Sequence, residues 1–141
     1  MFDLIRDFGQ ASAALLLGLA TGAGWVAAII APNSFYDDLD PVDADMQVRN
    51  LLKSVSGPVT FVLVAAGALA ILGTAYVAGV TALVAAFGFF SNTWTLAPPA
   101  KTENGKSTKR RRKTERVVAV SLTLIFTLVT AIAAVLAVFG F

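Results

Sequence analysis

The stretch "PVTFVLVAAGALAILGTAYVAGVTALVAAFGFFS", residues 58–91, contains no charged side chain. As one continuous α-helix it would be about 51 Å long at ~1.5 Å per residue, whereas the hydrocarbon core of a bilayer is about 30 Å thick. A hairpin that turns near "GTAYVAG", residues 73–79, divides the stretch into two helices that can each cross that core. The stretch therefore predicts two membrane spans, at about 58–74 and 76–93.

Two further stretches lack charged side chains, and they predict spans at about 11–31 and 117–139. The chain has 141 residues, of which 57% are hydrophobic and 14% are charged, and this composition is typical of a membrane protein. We therefore predict an all-α membrane protein in which residues 1–141 form a single integral membrane domain with four transmembrane helices. Three transmembrane helices are the alternative, if residues 58–91 cross the membrane once.

Helices are also predicted outside the bilayer core. Residues 1–10 place four apolar side chains on one helical face, which predicts an N-terminal interfacial helix: Met1, Leu4, Ile5 and Phe8. Asp40 followed by Pro41 is typical of a helix start. Apolar residues then recur at helical spacing as far as Val55, so an amphipathic surface helix is predicted from about Pro41 to Val55, between spans 1 and 2.

An acidic cluster lies at the start of this surface helix. Its members are Asp37, Asp38, Asp40, Asp43 and Asp45. Negative charge is favoured at the amino end of a helix, so capping is the first interpretation. A divalent-cation site is the alternative, although the cluster lacks the Gly and Glu of a calcium-binding loop.

The segment "KSTKRRRKTER", residues 106–116, holds seven Lys or Arg side chains directly before the last span. Positive charge beside a span resists translocation, so we expect a basic loop at 99–116 on the cytoplasmic side of the membrane. The expected membrane is the inner membrane of a bacterium. Anionic lipid headgroups, or an acidic partner, would contact its basic side chains: Lys109, Arg110, Arg111, Arg112, Lys113 and Arg116. No aromatic residue interleaves them, so nucleic acid is not an expected partner.

The predicted spans contain no ionisable side chain other than tyrosine, which is uncommon for proton relays and ion-coupled transporters. The chain also has no Cys and no His, which excludes thiolate chemistry and metal sites built from Cys or His. We therefore predict neither a cofactor nor an enzymatic activity.

Small residues at four-residue spacing predict helix-packing faces. Gly18 and Gly22 form a GxxxG pair with Gly24 nearby, and Thr123, Thr127 and Ala131 form a second stripe. Such faces let two helix backbones approach closely. The contact can lie within the bundle or between chains, and both alternatives stay open at this point.

The segment "GWVAAIIAPNSFYDDL", residues 24–39, carries a family resemblance through Pro32, Phe35 and Leu39. With the hydropathy layout of nearly the whole chain, it resembles transmembrane protein 205 and its bacterial relatives, which are small four-helix membrane proteins. The resemblance implies a fold and no particular mechanism. The layout is also similar to that of fungal anthrone oxygenases.

Three function classes follow from this pattern. The first is an accessory or assembly subunit of a larger membrane complex, which contacts another membrane protein. Separately, a homo-oligomer of the chain is an expected alternative for its partner. The second is a transporter or channel for a neutral or lipidic solute, which a polar cavity lined by Thr74, Tyr76 and Thr127 would indicate. A membrane enzyme is the third, and the spans lack the acid, base, nucleophile or metal ligands that it needs. The subunit is our prediction.

Overall fold

The computed structural model describes residues 1–96 and 107–141, with the main chain alone for residues 107–113, 115 and 116. Helices make up nearly all of the described chain. They are α1 (Phe2–Trp25), a π-helical turn (Val26–Ile30), α2 (Ala31–Asp38), α3 (Pro41–Leu72), α4 (Tyr76–Thr95) and α5 (Ser107–Phe139). In the described residues, four helical segments are long and apolar enough to cross a membrane. The prediction of an all-α chain with four such helices is thus confirmed.

The first span belongs to a longer helix. The chain from Phe2 to Asp38 is one helical segment of 37 residues, which is about 56 Å long at ~1.5 Å per residue. A separate interfacial helix over residues 1–10 is not confirmed, because the helix continues past residue 10 without a break. The buried Gly9 holds this part of α1 against α3, since a Cβ built there would lie 3.0 Å from the Leu69 carbonyl oxygen.

Helix α3 joins the predicted surface helix and the second span. It begins at Pro41, continues through Pro58 and ends at Leu72, so no break separates the two predicted segments. Pro58 and Ser54 are both exposed. The Ser54 carbonyl, which loses its helical donor at Pro58, can therefore accept hydrogen bonds from water or headgroups.

The hairpin between α3 and α4 turns at residues 73–75. Thr74 has a φ of 63°, and the Ala75 N–H donates to the Ala70 carbonyl at 2.9 Å. A Cβ on Gly73 would lie 2.7 Å from the Gln10 nitrogen, so glycine allows the turn to touch the backbone of α1. The predicted hairpin is therefore present, with α4 extending to Thr95.

The four long helices form an antiparallel bundle in the order α1, α3, α4, α5, with α1 also packed on α5. Its main core is rich in alanine, and Leu17, Leu63 and Phe89 are its large members. We call the end with the residue 73–75 turn the hairpin end. The opposite, charged end holds α2, the start of α3, the end of α4 and the start of α5. Acidic and basic segments therefore lie at the same end, as four spans require.

Candidate helix-packing faces and a buried polar layer

Gly24 lies at a close contact between α1 and α5. It is buried, and a Cβ built there would overlap the Thr127 hydroxyl oxygen and lie 3.2 Å from the Thr127 Cβ. The Thr127 hydroxyl donates to the Thr123 carbonyl at 2.7 Å, so its proton is satisfied within α5. The pair packs two helix backbones closely, as small residues do in membrane proteins.

Gly18 and Gly22 lie on a different face of α1. Both are exposed, and no atom lies within 4 Å of a Cβ built on either glycine. They line an open groove of about 610 Å³ between the first helical segment and α3, which we call the glycine groove. Its other lining residues are apolar: Leu19, Ala23, Val26, Ala27, Ala31, Leu51 and Val55.

Part of the small-residue stripe on α5 faces the interior of the bundle. Thr123 and Thr127 are buried, each with 2% of its surface exposed, and Ala131 is half-buried. The Thr123 hydroxyl donates to the Ala119 carbonyl at 2.8 Å. The stripe therefore contributes to packing within this chain at Thr127.

A buried polar layer lies toward the charged end. Asn92 on α4 is fully buried, and its side-chain nitrogen donates to the Thr123 hydroxyl oxygen at 2.9 Å. The other amide atom, Asn92 Oδ1, is buried and has no hydrogen-bond partner. A buried amide oxygen without a donor is costly, and such groups are uncommon in folded proteins.

Ser56 on α3 belongs to the same region of the bundle. Two contacts show how α3 and α4 are aligned. The Arg49 guanidinium donates to the Leu96 carbonyl at 3.1 Å, and a Cβ built on Gly67 would lie 3.1 Å from the Leu83 side chain. Ser56 lies between Arg49 and Gly67 along α3, at a level of the bundle close to that of Asn92 on α4. It is 2% exposed, and its hydroxyl donates to the Leu52 carbonyl at 2.6 Å.

The π-helical turn lies toward the same end of the bundle. Its Ala27 belongs to a cluster of buried apolar residues that includes Leu96 at the end of α4 and Ala119 on α5. In this turn the N–H of Ala31 donates to the Val26 carbonyl, and Pro32 has no N–H. The buried Ala27 carbonyl thereby loses its helical donors at positions 31 and 32.

The acidic cluster spans the α2–α3 junction. Asp37 and Asp38 end α2, Asp40 is at the amino end of α3, and Asp43 and Asp45 follow in its first turns. The Tyr36 hydroxyl donates to Asp45 Oδ1. Within residues 1–96 and 107–141, no group of three His, Cys, Asp or Glu residues is placed to hold a metal ion.

The main chain of residues 107–116 belongs to α5, so this part of the expected loop 99–116 is helical. The side chains of Lys109, Arg110, Arg111, Arg112, Lys113 and Arg116 lie outside what the structure describes, as do residues 97–106. The expected contacts of these side chains with lipid or a partner stay predictions.

The residues expected to line a solute cavity are not gathered. Tyr76 is 60% exposed at the hairpin end, and Thr74 is exposed in the turn. Thr127 instead packs against Gly24 inside the bundle. The structure does not bring these three side chains into one cavity.

Sequence reasoning missed Asn92 and Ser56. Both are single polar residues near the ends of apolar stretches, where exposure to headgroups is the usual expectation. The hairpin held a signal, because residues equally far from a turn lie at the same level of two antiparallel helices. Ser56 is 17 positions before residue 73, and Asn92 is 17 positions after residue 75.

The chain matches no protein-family model, no curated protein sequence and no solved structure. The resemblance to transmembrane protein 205 and its relatives therefore stays a prediction.

Proposed function

We propose that the chain is a non-catalytic accessory or assembly subunit of a larger membrane protein complex. The glycine groove is the observation that carries this proposal. It presents the backbone of α1 at Gly18 and Gly22, with no side chain of the described residues over either glycine. A transmembrane helix of a partner can approach such a face closely, and this contact is a main source of helix association in membranes.

The packing of the interior also supports a subunit. The main core is filled by alanine, leucine and phenylalanine, and the buried threonines bond to their own helices. A solute pathway would need polar groups exposed to a cavity, and Thr74, Tyr76 and Thr127 do not form one.

The proposed location is the inner membrane of a bacterium, with the charged end in the cytoplasm. Residues 101–116 hold eight of the eleven Lys and Arg residues of the chain, and such segments remain on the cytoplasmic side. Anionic headgroups would hold the basic side chains at that surface. Cysteines introduced separately at Ser34 and Ser107 of this cysteine-free chain test the topology, because an impermeant reagent should label both from the same side.

The test of the subunit proposal is extraction of the full chain from its own membrane in a mild detergent, followed by native mass determination. We expect a stoichiometric larger complex that is lost in the double variant Gly18→Leu, Gly22→Leu. Ala68→Leu is the matched control, because Ala68 is exposed on α3 and does not line the glycine groove.

A monomer, or an oligomer of this chain alone, would overturn the proposal. Loss of the complex in the Ala68→Leu control as well would show that added bulk anywhere on the bundle disrupts assembly. The glycine groove would then not be the docking face.

A further inference from the structure

We propose that Asn92 Oδ1 anchors a binding site for a water molecule inside the bundle, in the buried polar layer near the charged end. The layer holds polar groups of α3, α4 and α5. The ligand class follows from which hydrogen-bond donors and acceptors of these groups are already used.

The Asn92 amide is oriented by its bond to Thr123. The Thr123 hydroxyl donates to the Ala119 carbonyl at 2.8 Å, and its oxygen accepts from the Asn92 nitrogen at 2.9 Å. The opposite amide orientation would give up this pair of bonds, because the Thr123 hydroxyl would have to leave the Ala119 carbonyl to donate to Oδ1. In the orientation that keeps both bonds, Oδ1 is the atom without a donor.

The neighbouring hydroxyl groups have no proton to offer. Ser56 donates to the Leu52 carbonyl at 2.6 Å, and Thr127 donates to the Thr123 carbonyl at 2.7 Å. The carbonyl of the buried Ala27, toward the same end of the bundle, is a further acceptor without a helical donor. The layer is therefore rich in acceptors, and a ligand that donates hydrogen bonds is required.

Water fits this requirement. It supplies two donors, and buried waters in proteins typically bind to polar groups that would otherwise lack a partner. The layer also lies close to a membrane surface, because Asn92 is one turn from Leu96, the last residue described before position 107. Water entering from the charged end does not cross the alanine-rich core, but only a smaller cluster of buried apolar residues that includes Leu52, Leu96 and Ala119.

The test is magnetisation transfer from water to the side-chain amide protons of Asn92, in the full chain labelled with ¹⁵N at its four asparagines in lipid nanodiscs. Loss of one signal in Asn92→Leu assigns the resonance. The exposed Asn50 is the control for a side-chain amide in contact with water. The control for an amide shielded from water is the main-chain amide of Ala85, a residue buried in the main core. It is measured in a second sample labelled with ¹⁵N-alanine.

We expect a direct water contact at Asn92 that persists in Thr123→Val, where exchange through the Thr123 hydroxyl is abolished. If the Asn92 side chain of the folded wild-type protein shows as little magnetisation transfer from water as the Ala85 amide does, the proposed site is overturned. A contact that disappears in folded Thr123→Val would also overturn it, because the transfer would then have passed through the hydroxyl.

Stability gives an independent readout. Thr123→Val removes the Asn92–Thr123 hydrogen bond, whereas Asn92→Leu removes that bond and the bond to water. If Oδ1 binds water, the folded-to-unfolded ratio of Asn92→Leu should be about threefold lower than that of Thr123→Val. An equal or smaller loss would contradict the proposal, because replacing an unpartnered polar group by an apolar one is neutral or stabilising.

Discussion

Two glycine faces of α1 have opposite surroundings. Gly24 is buried against Thr127, and any side chain there would overlap α5, whereas Gly18 and Gly22 open into the glycine groove with no atom within 4 Å of an added Cβ. All three belong to one apolar helix and are close in sequence. The comparison shows that a small residue marks a possible contact, and the position of the neighbouring helices decides whether the contact lies within the chain.

The largest expected difference is between leucine at position 24 and leucine at position 22. Gly24→Leu forces α1 away from α5 and should lower the free energy of unfolding by about 3 kcal/mol or more. Gly22→Leu adds the same atoms in open space and replaces a helical glycine, so it should cause no loss and should raise that free energy by up to about 1 kcal/mol. Denaturant unfolding in detergent micelles, followed by tryptophan fluorescence, measures both. Equal losses would contradict the assignment of Gly24 as the inner contact.

A double-mutant cycle sharpens the contact between Gly24 and Thr127. Gly24→Ala should cost about 1 to 3 kcal/mol, because the new methyl group meets the Thr127 side chain. In the Thr127→Ala background the cost should fall by about 1 kcal/mol or more, since the overlapping hydroxyl is gone and the nearest side-chain atom is then the Cβ. Additive effects in the same unfolding experiment would place the strain elsewhere.

The smallest effect is expected at Gly18, and its sign is reversed. Gly18→Ala removes backbone freedom from the unfolded chain and adds no overlap, so it should raise the free energy of unfolding by up to about 1 kcal/mol. Gly24→Ala, measured beside it, should lower that free energy. A loss at Gly18 in the detergent-solubilised monomer would mean that another part of the chain covers the glycine groove.

The sequence predicted the helices wherever the length of an apolar segment and its lack of charge are sufficient to place them. Residues 58–91 are too long for one crossing, and the turn at residues 73–75 follows from that limit. Helix boundaries were harder to place. The surface helix predicted to end at about Val55 and the span predicted to start at about Pro58 form one helix, α3. The helix continues because the carbonyl that Pro58 leaves without a donor lies on an exposed side.

The candidate site was predictable only in part. Glycine and threonine spacing marked Gly24 and Thr127, which the structure brings into contact, and also Gly18 and Gly22, which it leaves open. The buried polar layer escaped the sequence because its members are far apart along the chain. Asn92 bonds to Thr123 across 31 positions, and only the packing of α4 on α5 makes that bond possible.

By itself the sequence determined the apolar segments long enough to span a membrane and the hairpin between residues 58 and 91. These follow from the thickness of a bilayer and from the cost of charge within it, which act on each segment separately. The tertiary structure decided which glycine is enclosed, which face stays open and which amide oxygen is buried without a donor. Those outcomes depend on how the helices are rotated and spaced against one another, and no single segment fixes that arrangement.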